Sequence, residues 1–264
     1  MKLNTIQIIF ILSIIICFLI LILYFISQSK ENMENKEETS GNIELVVSRY
    51  NEDLEWLKSP PFNKYPVTCY NKGDNEDFYK PKDMKIIKLE NVGRCDHTYI
   101  YHIINNYDKL SDLTIFLPGS CNMQHKKDIA EKLVIQTESH KDTVFIGNKS
   151  EKSIKDIFYN FSLDEWSASD DKNKSLNPEK KLLPSEIRPY GKWYEHHFGD
   201  KYVDYVCYFG IIGFHKKHIL QHPKSYYETF IEELNKSSNP EVGHYFERSW
   251  AAIFGPLDGA KFIE

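Results

Sequence analysis

The architecture of this chain follows from one stretch, residues 43–53, which reads IELVVSRYNED. Its opening is aliphatic apart from Glu44, and a short apolar run of this kind is typical of a buried β-strand. Polar side chains follow at once, at the end of the strand where open α/β sheets bind their ligands. The stretch therefore predicts a first strand that ends in a polar, ligand-facing loop.

Strand and helix signals alternate through the rest of the chain. Apolar runs predict strands at 67–70, 84–89, 113–117, 142–146 and within 202–214. Helical periodicity predicts helices at 96–110, 126–138, 216–234 with a break near Pro223, and 244–254. We expect Asp96 to cap the first of these helices. The alternation predicts an α/β fold in which a mostly parallel sheet is flanked by helices.

An apolar segment precedes this domain. Residues 6–26 are apolar except for Gln7 and Ser13, and about 20 such residues are enough to cross a bilayer. A cleaved signal peptide has a shorter apolar region that ends in small residues, and this segment has neither feature. We therefore expect a retained transmembrane helix at 6–26, with the lipid bilayer as its partner.

Charge near this segment predicts the orientation of the chain. Lys2 and the amino terminus place positive charge in residues 1–5, which we expect to be a cytoplasmic head. Residues 27–42 are polar without apolar periodicity and predict a flexible stalk. Residues 43–264 then form a globular α/β domain on the lumenal or exterior side of an endoplasmic reticulum, Golgi or viral membrane.

Composition narrows the function classes. The chain has 264 residues, 33 basic and 38 acidic, with a formal net charge of −5. A nucleic-acid binder needs a basic footprint, so we expect no nucleic-acid partner.

Glycosylation is predicted at four Asn-x-Ser sequons, which are Asn148, Asn160, Asn173 and Asn235. Disulfides and free thiols both remain open for four widely spaced cysteines, Cys69, Cys95, Cys121 and Cys207.

Arginine is scarce, which makes each arginine informative. Only four of the 33 basic residues are arginines. The guanidinium group grips phosphate or carboxylate at two points, so arginines retained in a lysine-rich chain indicate such a need. Arg49, Arg94 and Arg248 border predicted elements and are candidates for ligand contact, or alternatively for structural ion pairs. Arg188 has no motif around it, and we expect it to be structural.

The loop after the first strand supplies further candidates. Glu52 and Asp53 are suited to a sugar hydroxyl or a metal ion, and Asn51 lies beside them. Asn51 and Asp53 are equally suited to capping a short helix over residues 54–57.

Gly93 and Arg94 immediately precede a predicted helix, whose N-terminus favours an anion. Lys72, in an Asn-Lys-Gly turn, can reach a phosphate, although the turn alone also explains this sequence. A diphosphate is the expected ligand of Gly93, Arg94 and Lys72. The sequence has no His/Cys zinc motif and no GxSxG motif, so we assign no metal ligands and leave a divalent cation possible.

Four motifs occur together in a known family. They are residues 50–57, 70–73, 91–99 and 247–254, which read YNEDLEWL, YNKG, NVGRCDHTY and ERSWAAIF. In this order they resemble the eukaryotic and large-virus family called domain of unknown function 3431, over roughly residues 43–255. That family has no established activity. Cys95 and Asp96, and residues 116–120, depart from the pattern expected of it.

The opening strand and its loop more distantly resemble GT-A nucleotide-sugar glycosyltransferases. Those enzymes usually hold a divalent metal and a diphosphate with an Asp-x-Asp after a central strand. Here the strand at 113–117 runs into Pro-Gly-Ser, and Asp170-Asp171 lies in a polar loop. The resemblance implies that Arg49, Arg94 and Lys72 neutralise the diphosphate without a metal, or that the chain is not a transferase.

These observations predict a membrane-anchored, glycosyltransferase-like protein that uses a nucleotide sugar and a glycan acceptor. The nucleotide is assigned to the loop at 49–53 and the diphosphate to Gly93, Arg94 and Lys72. Glu247 is the candidate catalytic base or acceptor contact, and its alternative is an ion pair with a neighbouring cation. Trp250 either stacks on a sugar or packs in the core.

Two other classes remain open. One is a non-catalytic glycan-binding or envelope membrane protein. The other is a metal-dependent hydrolase that uses Glu52, Asp53 and Glu247.

Overall fold

The computed structural model describes residues 42–166 and 181–264, together with Ile22. The predicted transmembrane helix and stalk therefore lie outside the described residues, apart from Ile22 and Asn42. No helix among the described residues is long and apolar enough to cross a membrane. Asn42–Glu264 form one compact unit.

A seven-stranded sheet is the centre of this unit. The described strands are β1 (Ile43–Arg49), β2 (Val67–Asn71), β3 (Lys85–Lys88), β4 (Leu113–Pro118), β5 (Val144–Ile146), β6 (Asn148–Lys149), β7 (Tyr205–Val206), β8 (Ile212–His215) and β9 (Lys261–Ile263). The strand order is β3-β2-β1-β4-β8-β5-β9, while β6 and β7 pair separately. Strands β1 to β4 are mutually parallel, as are β5 and β9, and only β8 runs antiparallel to its neighbours β4 and β5. The predicted α/β fold with a mostly parallel sheet is confirmed.

Helices cover both faces of the sheet. They are α1 (Arg94–Asn106), α2 (Gln124–His140), α3 (Ile154–Ile157), α4 (Tyr190–Phe198), α5 (Lys216–Leu220), α6 (Lys224–Leu234) and α7 (Glu241–Ile253). The break between α5 and α6 lies at Pro223, as predicted. The predicted capping role of Asp96 is wrong, because α1 begins at Arg94 and Asp96 lies inside its first turn.

Strand β1 is buried on both faces, which explains its nearly continuous apolar run. Leu45 and Val47 pack in a layer that includes α2, and Val46 packs in the layer that includes α1, α4, α6 and α7. The second layer is strongly aromatic, and Trp193 and Trp250 are its largest fully buried side chains. The sheet is thus the middle of three layers.

The order of the strands creates a crevice. From β1, the sheet grows through β2 and β3 on one side, and the chain then returns through α1 to place β4 on the other side. Ligands bind at such a switch point, beyond the carboxyl ends of the strands. A hydrogen bond of 2.8 Å between Ser48 Oγ and Thr98 Oγ1 fixes α1 against the end of β1.

A buried carboxylate anchors two chain segments to the start of α7. Glu241 is fully buried and accepts hydrogen bonds of 2.8 Å from the backbone N–H groups of Leu163 and Ser185. Tyr245 donates a third hydrogen bond of 2.9 Å, and Arg188 Nε lies 2.9 Å from Glu241 Oε2. Arg188 therefore has a structural ion pair, as its sequence context indicates.

Gly93 forms the tight turn before α1. Its φ is +58°, and its N–H donates a 2.7 Å hydrogen bond to the carbonyl of Ser237. A Cβ at this position would lie 2.5 Å from both Leu234 O and His97 Cβ. The turn therefore requires glycine for its backbone conformation and for close packing against α6.

We expect Gly93→Ala to lower the free energy of unfolding by about 2–4 kcal/mol, because it adds steric overlap to a left-handed backbone. Gly199→Ala is a control without steric overlap: Gly199 has a φ of +60° and a ψ of −129°, a conformation that also favours glycine, and no heavy atom within 4 Å of an added Cβ. The control should lose only a backbone contribution of about 1–3 kcal/mol. Urea unfolding measures both losses, and a loss of no more than about 2 kcal/mol for Gly93→Ala, which its backbone alone would explain, would contradict a packing contribution there.

A mixed-charge cleft as the candidate functional site

A cleft of about 410 Å³ opens at the carboxyl ends of β1 and β4. The loop after β1, the first turn of α1, the segment after β4 and helix α7 all contribute to its lining. Five of the residues proposed from the sequence line it, namely Arg49, Glu52, Lys72, Arg94 and Glu247. The cleft thus brings together groups that lie far apart in the sequence.

Arg49 anchors the loops on one side of the cleft. Its guanidinium group is fully buried and donates hydrogen bonds of 2.7 Å to Glu52 O, 2.7 Å to Asn71 Oδ1 and 2.8 Å to Asn75 O. The group lies 3.7 Å from the ring centroid of Phe78. Its Nη2 has no hydrogen-bond partner among the described residues. Arg49 therefore ties the ends of β1 and β2 together and leaves one nitrogen unsatisfied.

Lys72 supports the turn that starts α1. It is 6% exposed, and its ammonium group donates hydrogen bonds to the carbonyl oxygens of Val92 and Arg94. Burial lowers the pKa of Lys72 to about 7. Lys72 thus mainly fixes the geometry of the turn. A bound anion would favour the charged form of its ammonium group.

Arg94 brings positive charge to the N-terminus of α1. Its guanidinium group lies 3.7 Å from the ring centroid of Trp166 and donates a hydrogen bond to the side chain of Asn239. Because the helix dipole also points its positive end here, the first turn of α1 favours an anion. His244 packs on Trp166, and burial, with Arg94 as the second cause, lowers the pKa of His244 to about 3.

The segment after β4 adds another cation. Lys126, in the first turn of α2, donates a 2.9 Å hydrogen bond to Ser120 Oγ, and both residues line the cleft. Glu52 lies close by, because a Cβ on Gly119 would be 2.7 Å from Glu52 Oε2. Gly119 therefore allows the Glu52 carboxylate to approach the end of β4.

Asp96 and Glu247 form an acidic pair in the same cleft. Asp96 is 4% exposed, and its Oδ1 has no hydrogen-bond partner among the described residues. Burial, with the charge of Glu247 as the second cause, raises the pKa of Asp96 to about 8. Glu247 Oε1 accepts a 2.8 Å hydrogen bond from the N–H of Phe209. At neutral pH Asp96 is therefore mostly protonated.

Two loop residues predicted for binding lie outside the cleft lining. Asn51 accepts a 3.2 Å hydrogen bond from the N–H of Asn75, which joins the loops after β1 and β2. Asp53 accepts a 3.0 Å hydrogen bond from the N–H of Glu55, which begins a short 3-10 helix. Asp53 thus has a local role at the start of this helix, close to its alternative, whereas Asn51 links two loops and does not cap the helix.

Three further candidates also lie outside the lining. Gly93 forms the turn described above. Arg248 lies 3.8 Å from the ring centroid of Phe161 and donates a 2.8 Å hydrogen bond to His244 O. Trp250 is fully buried. Arg248 thus lies outside the lining and forms an ion pair with Glu247 at 3.9 Å, and Trp250 lies in the aromatic core.

Sequence reasoning missed three residues that line the cleft. Lys126 follows β4, and its position after a carboxyl strand end is a signal that could have identified it. Asp96 was assigned to capping, and only its burial beside Glu247 reveals its unusual state. Phe209 lies in an aromatic stretch, and nothing in the sequence indicates that its side chain faces outwards.

The predicted modification sites and thiols are placed as follows. Asn148, Asn160 and Asn235 are exposed, and Asn173 lies outside the described residues. The four described cysteines are all free thiols. Among the described residues no group of three or more His, Cys, Asp or Glu side chains is arranged to hold a metal ion. Asp170 and Asp171 lie outside that part of the chain.

The sheet and cleft define an α/β protein with a mixed-charge cleft at the switch point of its strands. A family model described as "Protein of unknown function (DUF3431)" matches residues 45–258. The chain belongs to this family, as its four ordered motifs predicted. No curated protein matches the chain at a significant level.

The proton on Asp96 predicts a pH dependence of stability. The pKa of Asp96 is raised from 3.8 to about 8 on folding, so the folded protein holds a proton that the unfolded chain releases between these values. The contribution of Asp96 to stability should therefore fall as pH rises through this window. Asp96→Asn should remove about 2–3 kcal/mol of that fall between about pH 5 and about pH 7.

Urea unfolding at the two pH values measures this effect. The interval lies below the lowered pKa of Lys72, whose opposite contribution begins at about 7. Asp156→Asn, at an exposed carboxylate, should keep the wild-type slope. Parallel pH curves for wild type and Asp96→Asn would contradict a proton held on Asp96.

Proposed function

We propose that the chain is a membrane-anchored, glycosyltransferase-like protein that binds a nucleotide-diphosphate sugar in the cleft. The observation that carries this proposal is the meeting of Arg94, Lys126 and the N-terminus of α1 at the β1/β4 switch point. Cations and helix N-termini are the groups that bind phosphates. Buried Arg49 and Lys72 add positive charge behind them.

The order of the strands supports a GT-A-like interpretation. Strands β1 to β4 are parallel and lie in the order 3-2-1-4, which is the order around the switch point of doubly wound nucleotide-binding sheets. In place of an Asp-x-Asp, β4 runs into Pro118, Gly119 and Ser120. In the proposal, Arg94 and Lys126 supply positive charge to the diphosphate at this edge.

The proposed reaction assigns a role to each side of the cleft. The acceptor hydroxyl oxygen bonds to the anomeric carbon while the bond from that carbon to the diphosphate breaks, and the diphosphate leaves with the electron pair. Positive groups beside the diphosphate stabilise its developing charge. Glu247 takes the hydroxyl proton as general base. The nucleotide lies against the loop after β1, where Glu52 is suited to a ribose hydroxyl.

The location of the protein is part of the same proposal. Residues 6–26 anchor the chain in a bilayer, and the domain from residue 43 onwards faces the lumen or the exterior. The exposed sequons at Asn148, Asn160 and Asn235 are compatible with glycosylation there.

Matched lysine variants test nucleotide binding. Lys126 lines the cleft, whereas its neighbour Lys127 pairs with Glu131 at 3.6 Å and is not part of the lining. We expect Lys126→Ala to weaken binding of UDP or GDP by about 5–30-fold, because a contact to phosphate is lost. Lys127→Ala should leave the affinity unchanged. Isothermal titration with and without Mn²⁺ measures both effects.

A second substitution tests the need for a guanidinium group. Arg94→Lys keeps the charge but loses the planar fork, so it should weaken nucleoside diphosphate binding by about tenfold. Absence of nucleotide binding by wild type would refute the proposal. Binding of free glycans alone would then favour the non-catalytic glycan-binding protein. The absence of an Asp-x-Asp after β4 also supports that alternative. Stabilisation by Mn²⁺ or Zn²⁺ alone would favour the metal-dependent hydrolase.

A further inference from the structure

We propose that the cleft contains a carbohydrate subsite in which a sugar ring stacks on Phe209 and its hydroxyl groups bond to Asp96 and Glu247. This inference rests on the proposed function and names the acceptor as a carbohydrate. It moves the stacking role from the buried Trp250 to a residue that the sequence did not indicate. The separate features that support it are the backbone of Phe209, the unsatisfied carboxyl of Asp96 and two glycines.

Phe209 is held outwards by an unfavourable backbone. Its φ is +69°, a region that bulky residues seldom adopt because it costs about 1–3 kcal/mol. The side chain is 41% exposed, although Cys207 and Ile211 on either side are buried. Glu247 Oε1 accepts the N–H of Phe209 at 2.8 Å and so fixes this conformation. An aromatic ring kept at the cleft at such a cost indicates that the ring itself is used.

Asp96 is suited to a neutral polar partner. Its Oδ1 is buried without a hydrogen bond among the described residues, and a buried polar atom of this kind is costly. A phosphate would meet the charge of Glu247 at this place and be repelled. A carbohydrate hydroxyl is neutral and can both donate and accept, so it suits the buried, unpartnered oxygen of Asp96.

Two glycines lie close to the first turn of α1. A Cβ on Gly243, one turn before Glu247 on α7, would lie 3.4 Å from Asp96 Oδ2. Gly210 has a φ of +65°, and a Cβ there would lie 2.7 Å from Cys95 Sγ. A larger side chain at Gly243 would crowd the Asp96 carboxyl group, and one at Gly210 would displace the neighbouring Cys95.

The subsite also borders the cations assigned to the diphosphate. Lys126 Nζ lies 5.8 Å from the ring centroid of Phe209, and His125 lies 5.7 Å from it between ring centroids. A sugar stacked on Phe209 would therefore lie next to the diphosphate of a bound donor. Apolar sugar faces stack on aromatic rings while their hydroxyls remain bonded at the edge, so the two kinds of contact are compatible.

Saturation-transfer NMR on the full chain in detergent tests the subsite. The probes are free glucose, galactose, mannose and N-acetylglucosamine, with UDP and GDP measured in parallel. We expect at least one saccharide to bind wild type and Phe209→Tyr, and to bind Phe209→Ala at least tenfold more weakly. Tyr202→Ala removes an aromatic side chain that is 64% exposed and outside the cleft lining, and it should bind as wild type does.

Further variants separate binding from folding. Phe209→Leu keeps apolar bulk without an aromatic face and should lose binding even if Phe209→Ala fails to fold. Asp96→Asn should weaken saccharide binding and leave UDP or GDP binding within about twofold. The subsite is refuted if no saccharide binds wild type, or if Phe209→Leu binds as well as Phe209→Tyr. Saccharide binding without nucleotide binding would refute sugar transfer and leave the subsite standing.

Discussion

The cleft depends on one constraint, which is the burial of the Arg49 guanidinium group. A charged group removed from water must have hydrogen-bond partners, or its burial becomes very costly. Arg49 finds them in the backbone after β1, in the side chain of Asn71 at the end of β2 and in the carbonyl of Asn75. The loop after β1 and the loop after β2 are thereby held together at the carboxyl ends of these two strands. Glu52 and the neighbouring turn take their positions from this arrangement.

The cleft separates two kinds of charge over a short distance. Its cations lie at the N-terminus of α1 and after β4, and its two carboxyl groups come from α1 and α7. Group transfer with a departing diphosphate requires negative charge to develop at one place and a proton to leave from another. A cleft of uniform charge would suit only one of these events. The raised pKa of Asp96 and the lowered pKa of Lys72 both result mainly from burial of these side chains in the cleft.

The sequence predicted features that repeat and missed features that depend on distant packing. The run at 43–47 identified β1. The scarcity of arginine pointed to Arg49 and Arg94, because a lysine-rich chain keeps arginine where a planar guanidinium group is needed. An apolar helix such as α7 is buried on nearly every side, so periodicity could not tell that Trp250 lies in the core. Strands β8 and β9 are short, and their pairing is set by contacts remote in sequence. The backbone conformation of Phe209 has no local signature at all.

The contacts of Glu241 have a consequence for how this domain tolerates substitution. One buried carboxylate accepts from the backbone of Leu163 and Ser185 and lies beside the Arg188 guanidinium group. Loss of this carboxylate would leave two buried backbone donors and one cation without their acceptor at the same time. The domain is therefore sensitive to change at a residue that lies outside the cleft lining, because three chain segments converge on it.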